Sequence, residues 1–162
     1  MSTKTTPWEV GSSSFSDAYV GGFLDGDGSI VATLEKRPER RRFPYRVRLK
    51  INFTQNIQYK FFIERLQEYL GGVGKVRVVQ AHNLAELVVQ DRGEVKKTLE
   101  RLLPYLVLKR RQAELLLEAI GIYDKSTVNV RSSLKENEFD DIVKIVSQVR
   151  ELNSHTGGKR TA

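Results

Sequence analysis

The stretch from Asp17 to Ser29 constrains the fold most strongly, because it combines a helical pattern with adjacent glycines. Gly21 and Gly22 lie within this predicted helix, where each costs about 1 kcal/mol relative to alanine. Small residues and a carboxylate recur at helical three- and four-residue spacing and form one stripe: Ala18, Gly21, Gly22 and Asp25. Such a stripe predicts close contact with a second helix backbone. The following Gly-Asp-Gly-Ser is expected to end the helix near Leu24 and expose Asp27 at its tip.

The composition limits the class of protein and its partners. A chain of 162 residues predicts one well-buried domain. Its net charge of +7 and pI near 9.7 favour a polyanionic partner, most simply nucleic acid. The absence of cysteine excludes disulfides and thiolate metal sites, and two histidines disfavour a histidine-built zinc site. Neither a membrane-spanning run nor a secretory signal is indicated, so an intracellular, DNA-containing compartment (cytoplasm or organelle) is expected.

The periodicity predicts alternating helices and hairpins in a single domain over residues 14–153, between a flexible leader (1–13) and a flexible tail (154–162). Ser14 or Ser16 is expected to cap the first helix. Two strands, from Ser29 and from Tyr45, form the first hairpin, and residues 75–80 and 85–90 form the second. Further helices are predicted over 58–70, 91–103, 109–123 and 138–152. This order indicates an α+β fold in which helices cover one face of an antiparallel sheet.

The uncovered sheet face is predicted to bind DNA. In the strand from Tyr45 to Thr54, apolar and polar residues alternate strictly, which places a row of donors about 6.6 Å apart on the wet face. Such a ribbon fits a DNA major groove, where Arg and Lys reach guanine and Asn bridges adenine. A basic loop, Arg40 to Arg42, adjoins it. The predicted DNA-binding residues are Thr33, Arg37, Arg46, Arg48, Lys50, Asn52 and Arg77.

The sequence Tyr-Val-Gly-Gly-Phe-Leu-Asp-Gly-Asp-Gly-Ser, residues 19–29, resembles the signature of the LAGLIDADG homing endonucleases, in their single-motif, homodimeric branch. The resemblance extends over residues 16–123 and implies an αββαββα core followed by C-terminal helices. It implies a site-specific double-strand DNA endonuclease that acts as a homodimer on a long pseudo-palindromic target, encoded by an intron. The dimer interface would comprise Ala18, Gly21, Gly22 and Asp25.

The resemblance also assigns roles near the helix tip. Asp27 would bind the catalytic metal together with the carbonyl of Gly26, Gln55 would order water, and Lys109 would stabilise phosphate charge. Mg²⁺ is the expected cofactor, with Mn²⁺ as a substitute and Ca²⁺ supporting binding without cleavage. Close members of the family carry a basic residue where this chain has Tyr59, so Lys60 either replaces that charge or it is missing. Asp25 is interpreted as a cap of the helix end, in preference to a second acidic contact.

Other functions remain open at this level. An RNA-binding maturase on the same scaffold would act on its intron RNA. A non-catalytic DNA-binding regulator would be expected to lose the acidic tip, which Asp27 retains. The basic strand face disfavours a protein interaction module. The intact Asp27 and Gln55 favour cutting.

Overall fold

The structure is a computed structural model that describes residues 14–39, 44–127 and 134–156. It confirms the predicted α+β class and the αββαββα order followed by C-terminal helices. The elements are α1 (Asp17–Asp27), β1 (Gly28–Lys36), β2 (Tyr45–Asn56), α2 (Lys60–Tyr69), β3 (Lys75–Val79), β4 (Leu84–Val89), α3 (Arg92–Leu102), α4 (Arg110–Thr127) and α5 (Glu136–Thr156).

The four strands form one antiparallel sheet in the order β1-β2-β4-β3. Ile51 of β2 lies opposite Ile30 of β1 on one side and Val89 of β4 on the other, and all three are buried beneath the helices. Because side chains alternate along a strand, the intervening residues project from the opposite face, here called the open face. The core between sheet and helices is apolar, and its largest fully buried side chains are Phe53, Leu24, Ile30, Ile51, Ile63, Leu66, Leu87, Leu99, Leu102, Leu115, Leu116 and Ile120.

Helix α1 is longer than the sequence predicts. Ser16 caps its start, as expected, since the hydroxyl oxygen accepts a hydrogen bond from the Tyr19 N–H at 3.1 Å. The prediction that it ends near Leu24 is wrong, because the helix continues through Gly26 to Asp27 and closes with a bond from the Gly28 N–H to the Leu24 carbonyl. Strand β1 then begins at Gly28 with no intervening loop residue.

Gly28 is required at this junction by steric crowding. A Cβ at this position would lie 2.6 Å from Leu24 Cδ1 and 2.7 Å from the Asn52 carbonyl oxygen. Side chains do not tolerate such distances from backbone atoms, so only glycine allows the helix to pass directly into the strand.

Several other boundaries also differ from the predicted ones. A 3₁₀ turn over Ile57–Tyr59 precedes α2, so the regular helix starts later than predicted. At the other end, α5 continues through Thr156, so the predicted start of the tail falls inside it. Asn153 explains this, because its amide donates to the Ile30 carbonyl at 2.9 Å and fixes the last turns to β1. The predicted leader (1–13), the basic residues Arg40 to Arg42 and residues 157–162 lie outside the described residues.

Candidate active site and nucleic-acid interface

Asp27 lies at the last position of α1 and contacts Gln55 of β2. The Gln55 Nε2 amide donates to Asp27 Oδ2 at 3.3 Å, while Gln55 Oε1 accepts from the Asn56 backbone N–H at 3.0 Å. The second bond sets the orientation of the amide, because the oxygen must face the N–H and the nitrogen then faces the carboxylate. The fold therefore brings together two of the predicted catalytic residues, which are 28 positions apart in the chain.

Asp25 joins α1 to the segment that precedes α4. Its Oδ1 accepts from the Lys109 N–H at 2.8 Å, and its Oδ2 accepts from the N–H groups of Val107 and Leu108 at 3.1 and 2.8 Å. The Lys109 ammonium also donates to the Asp25 backbone carbonyl. The carboxylate therefore binds three successive backbone N–H groups of the segment that leads into α4, and it places Lys109 beside the last turn of α1.

The pKa of Asp25 reflects these contacts. Burial acts to raise the pKa, because only 8% of the residue is exposed, but the three backbone N–H donors and the charge of Lys109 act in the opposite direction. Their combined effect outweighs burial and holds the pKa below its ordinary value of 3.8. The carboxylate is thus ionised at neutral pH, which favours these three hydrogen bonds. Asp25 binds the segment before α4, whereas the sequence suggested that it caps the end of its own helix, α1.

The stripe of small residues on α1 divides into two faces. Gly21 is buried, and a Cβ there would lie 2.7 Å from Tyr105 Cβ of the same chain. Gly22 has no neighbour within 4 Å of such an atom, and Ala18 and Gly26 are likewise exposed. The prediction that Gly21 and Asp25 face a partner is therefore wrong, because both contact the segment before α4. The exposed small-residue face consists of Ala18, Gly22 and Gly26.

Large apolar side chains are exposed beside this face. The 105–108 segment, which Asp25 holds against α1, exposes 45% of Tyr105, 80% of Val107 and 73% of Leu108. Tyr19 on α1 itself is 51% exposed. Exposed apolar residues that cluster in this way mark interaction surfaces more often than isolated ones do.

All the predicted DNA-contacting residues lie on or beside the open face. Strand register aligns β1 and β2 so that Thr33 lies opposite Arg48, and Asn52 lies opposite Ser29. The same face receives Arg77 from β3, which lies opposite Glu86 of β4. The full set is Thr33, Arg37, Arg46, Arg48, Lys50, Asn52 and Arg77, with Arg37 directly after β1.

One polar atom on the open face lacks a partner. The Oδ1 atom of Asn52 is buried and accepts no hydrogen bond within the described parts of the chain. An unsatisfied buried acceptor costs free energy, so this atom lowers the stability of the isolated chain.

Sequence reasoning missed two carboxylates on the open face. Glu35 contacts both Arg48 and Arg37, at 2.5 and 2.9 Å, and Glu86 contacts Arg77 at 2.7 Å. The hydrogen bond from Arg48, supported by the charge of Arg37, outweighs slight desolvation and lowers the pKa of Glu35. Alternation along β1 places Glu35 on this face, but the pairing depends on the register between strands, which the sequence leaves open.

Tyr59 and Lys60 flank the start of α2. The Lys60 ammonium forms an ion pair with Glu64 of the same helix, 3.2 Å away. The Lys60 charge is thus directed along α2. This contact does not support the idea that Lys60 replaces the missing basic residue near Asp27 and Gln55.

Comparison with known proteins places the chain in a family of nucleases. A family model described as LAGLIDADG endonuclease matches residues 20–117, and the chain belongs to this family of homing endonucleases. Within it, the chain falls in the single-motif branch, which implies a DNA endonuclease of the hydrolase class. This confirms the resemblance that the α1 motif indicated.

Two relatives and one solved structure illustrate the similarity. The chain is 30% identical over 146 residues to the DNA endonuclease I-CreI of Chlamydomonas reinhardtii, covering 89% of this chain and 82% of that protein. It is 38% identical over 103 residues to the DNA endonuclease I-CvuI of Chlorella vulgaris, covering 64% of this chain and 62% of that protein. The crystal structure of I-CvuI in complex with its target in the presence of 2 mM Ca has a TM-score of 0.74 and 32% identity, and the match covers 90% of this chain and 85% of that one.

No helix in the described ranges is long and apolar enough to cross a membrane. In the same ranges, no three side chains among His, Cys, Asp and Glu converge to hold a metal ion.

Proposed function

We propose that this protein is a homodimeric, divalent-metal-dependent homing endonuclease that cuts both strands of a long pseudo-palindromic DNA target. One observation carries the proposal. Asp27 lies at the end of α1, the helix whose exposed face consists of small residues, and it contacts Gln55. Two positions before it, Asp25 binds the Lys109 ammonium through its backbone carbonyl. One chain thus offers one carboxylate ligand for a metal, and its surface is suited to pairing with a second chain that would supply another.

The proposed dimer forms through α1. Ala18, Gly22 and Gly26 recur every four residues, so two α1 helices can approach closely along this face. The exposed Val107 and Leu108 flank it and would supply apolar area that the small residues do not. A two-fold axis here would bring both copies of Asp27 together, one for each strand to be cut.

The donor atoms at the tip of α1 fit a hard divalent cation. The exposed Asp27 carboxylate and the neighbouring Gly26 carbonyl would hold Mg²⁺, which prefers oxygen ligands and retains several waters. When bound, the ion would lower the pKa of a water and neutralise charge on the scissile phosphate. We expect Mn²⁺ to replace Mg²⁺ and Ca²⁺ to support binding alone. Crystal structures of I-CvuI with DNA were determined in the presence of 2 mM Ca with its own target, and in the presence of 2 mM Mg with the I-CreI target, which was not cleaved.

The protein side chains position these groups and balance charge. Gln55 holds the Asp27 carboxylate in place through its amide and would order a nearby water. Lys109, anchored at the Asp25 carbonyl, places a positive charge where a phosphate oxygen becomes more negative during cleavage. Asp25 keeps the lysine segment in position without touching the reacting atoms.

Recognition would use the open face in the major groove. The arginines, Lys50 and Asn52 supply donors at strand spacing. I-CvuI, with 32% identity over 90% of this chain, was crystallised with its target DNA, which supports DNA as the partner of this chain.

The proposal is tested by exposing a randomised plasmid library to the purified protein with Mg²⁺ and sequencing the new ends. Asp27→Asn protein is the matched control, because it removes one charge and keeps the shape of the side chain. We expect ends at one pseudo-palindromic motif with the native protein, and binding without cleavage with the variant. Cleavage by Asp27→Asn would contradict the metal assignment. Selective binding without cutting by the native protein would favour a regulator, and no selection of DNA would favour intron RNA as the partner.

A further inference from the structure

Two carboxylates lie on a surface that otherwise presents cations. Glu35 and Glu86 project from the open face among Arg37, Arg48 and Arg77. For a face that binds a polyanion, each carboxylate repels phosphate and lowers the affinity for any DNA sequence. Such residues require a compensating role if the face binds DNA selectively.

Each carboxylate contacts the same part of an arginine. Arg48 donates through Nε to Glu35 Oε2 at 2.5 Å, and Arg77 donates through Nε to Glu86 Oε2 at 2.7 Å. The Nη1 atom of Arg48 also contacts Gln90 Oε1 at 3.3 Å. Glu35 uses its other oxygen to hold Arg37.

These contacts restrict the guanidinium groups. A free arginine on a strand samples many rotamers and can follow phosphates along either side of a groove. An arginine held at Nε has the plane of its guanidinium restrained, and N–H donors of its terminal amino groups that the carboxylate does not use remain available to a base. Bidentate contact to guanine requires a planar fork in a defined orientation, whereas contact to a phosphate does not.

We propose that Glu35 and Glu86 are specificity-determining positioning residues, which restrain Arg48 and Arg77 for base contact and lower non-specific attraction to phosphate. The inference rests on the proposed function, since it presumes a DNA target. It extends that function by assigning part of the base discrimination to two carboxylates, which are negatively charged like DNA.

The test compares two substitutions at Glu35. Glu35→Gln removes the charge but leaves an oxygen that can accept from Arg48, whereas Glu35→Ala removes both. Binding is measured by fluorescence anisotropy in Ca²⁺ at several salt concentrations, with the target chosen by the library and a scrambled duplex of equal length and composition. Glu68→Gln is the matched control, because Glu68 also pairs with an arginine, at 2.9 Å, but on α2 away from the open face.

We expect both Glu35 variants to bind the scrambled duplex more tightly and to steepen the salt slope by about one unit. The preference for the target over the scrambled duplex should fall about tenfold in Glu35→Ala, as for one misplaced base contact, and less in Glu35→Gln. Glu86→Ala, which frees Arg77, should lower the preference similarly. Glu68→Gln should leave the preference unchanged.

Two results would overturn the inference. Equal gains in affinity for both duplexes, in both variants, would mean that Glu35 acts only as a charge. Weaker target binding without tighter scrambled binding would mean that Glu35 itself contacts a base. Failure of the proposed function is distinguishable, because the native protein would then select no target from the library or would bind its selected target without cutting it.

Discussion

Asp25→Asn is the substitution for which the structure gives the sharpest expectation. The carboxylate accepts three backbone N–H bonds, one on Oδ1 and two on Oδ2. An asparagine oxygen in the place of Oδ2 keeps the bonds from Val107 and Leu108, but its amide nitrogen then faces the Lys109 N–H. At least one charge-assisted hydrogen bond is lost, which corresponds to about 2 kcal/mol of unfolding free energy. For a chain of this size, that lowers the melting temperature by roughly 4–8 °C.

The same contacts define the pH dependence of the effect. Because the folded pKa of Asp25 lies below its ordinary value of 3.8, the ionised carboxylate stabilises the fold at pH values above that ordinary value. This stabilisation is lost as the pH falls through the lower, folded pKa. The difference in stability between native and Asp25→Asn protein should therefore be constant near neutrality and shrink below about pH 4.

The measurement is urea denaturation at fixed protein concentration, from neutral pH to about pH 3. Asp140→Asn is the control, since Asp140 is an exposed carboxylate on α5. Native-like stability of Asp25→Asn at neutral pH would refute the stabilising role of these hydrogen bonds. A stability difference that persisted below the folded pKa would refute its electrostatic basis.

Four further substitutions test the site. Gly21→Ala should destabilise the chain by about 1–3 kcal/mol, because its Cβ would lie 2.7 Å from Tyr105 Cβ, and denaturation that matched the native protein would contradict this packing. Gly22→Leu and Leu108→Lys should leave the monomer folded but prevent pairing, so a dimer mass by light scattering would exclude this interface. Lys109→Met should slow single-turnover cleavage roughly a hundredfold with DNA affinity nearly retained; an unchanged rate would remove the lysine from the charge-stabilising role.

Much of the fold follows from local patterns. Strict alternation from Tyr45 to Thr54 predicts both β2 and its face, because a period of two is specific to strands. The glycines at 71 and 72 end α2 as predicted, with φ values of 88° and 79° that favour glycine. The extension of α1 to Asp27 was not predictable from propensity, since Gly26 is unfavourable in a helix and tertiary contacts of Asp25 stabilise that turn.

In the candidate site, too, some features follow from local sequence patterns and others depend on tertiary contacts. Asp27 belongs to a motif whose spacing is local, whereas Gln55, 28 positions further along the chain, was indicated only by the family resemblance. The division of the small-residue stripe into a buried and an exposed face could not be predicted locally. Whether Gly21 or Gly22 contacts Tyr105 depends on the packing of a segment more than eighty residues away. Likewise, no local signal shows that Asp25 binds the segment before α4 or that Glu35 pairs with Arg48, since both contacts are fixed by tertiary geometry.

The direct junction between α1 and β1 has a consequence for ligand binding. With Gly28 wedged against Leu24 and the Asn52 carbonyl, the Asp27 backbone has no hinge on its C-terminal side. Little conformational entropy remains to be lost when a cation is captured, so the affinity at this position is set by ligand charge and number and not by the ordering of the chain. The Gly28 amide, bonded to the Leu24 carbonyl, should therefore exchange its hydrogen with solvent at the same slow rate with and without the cation.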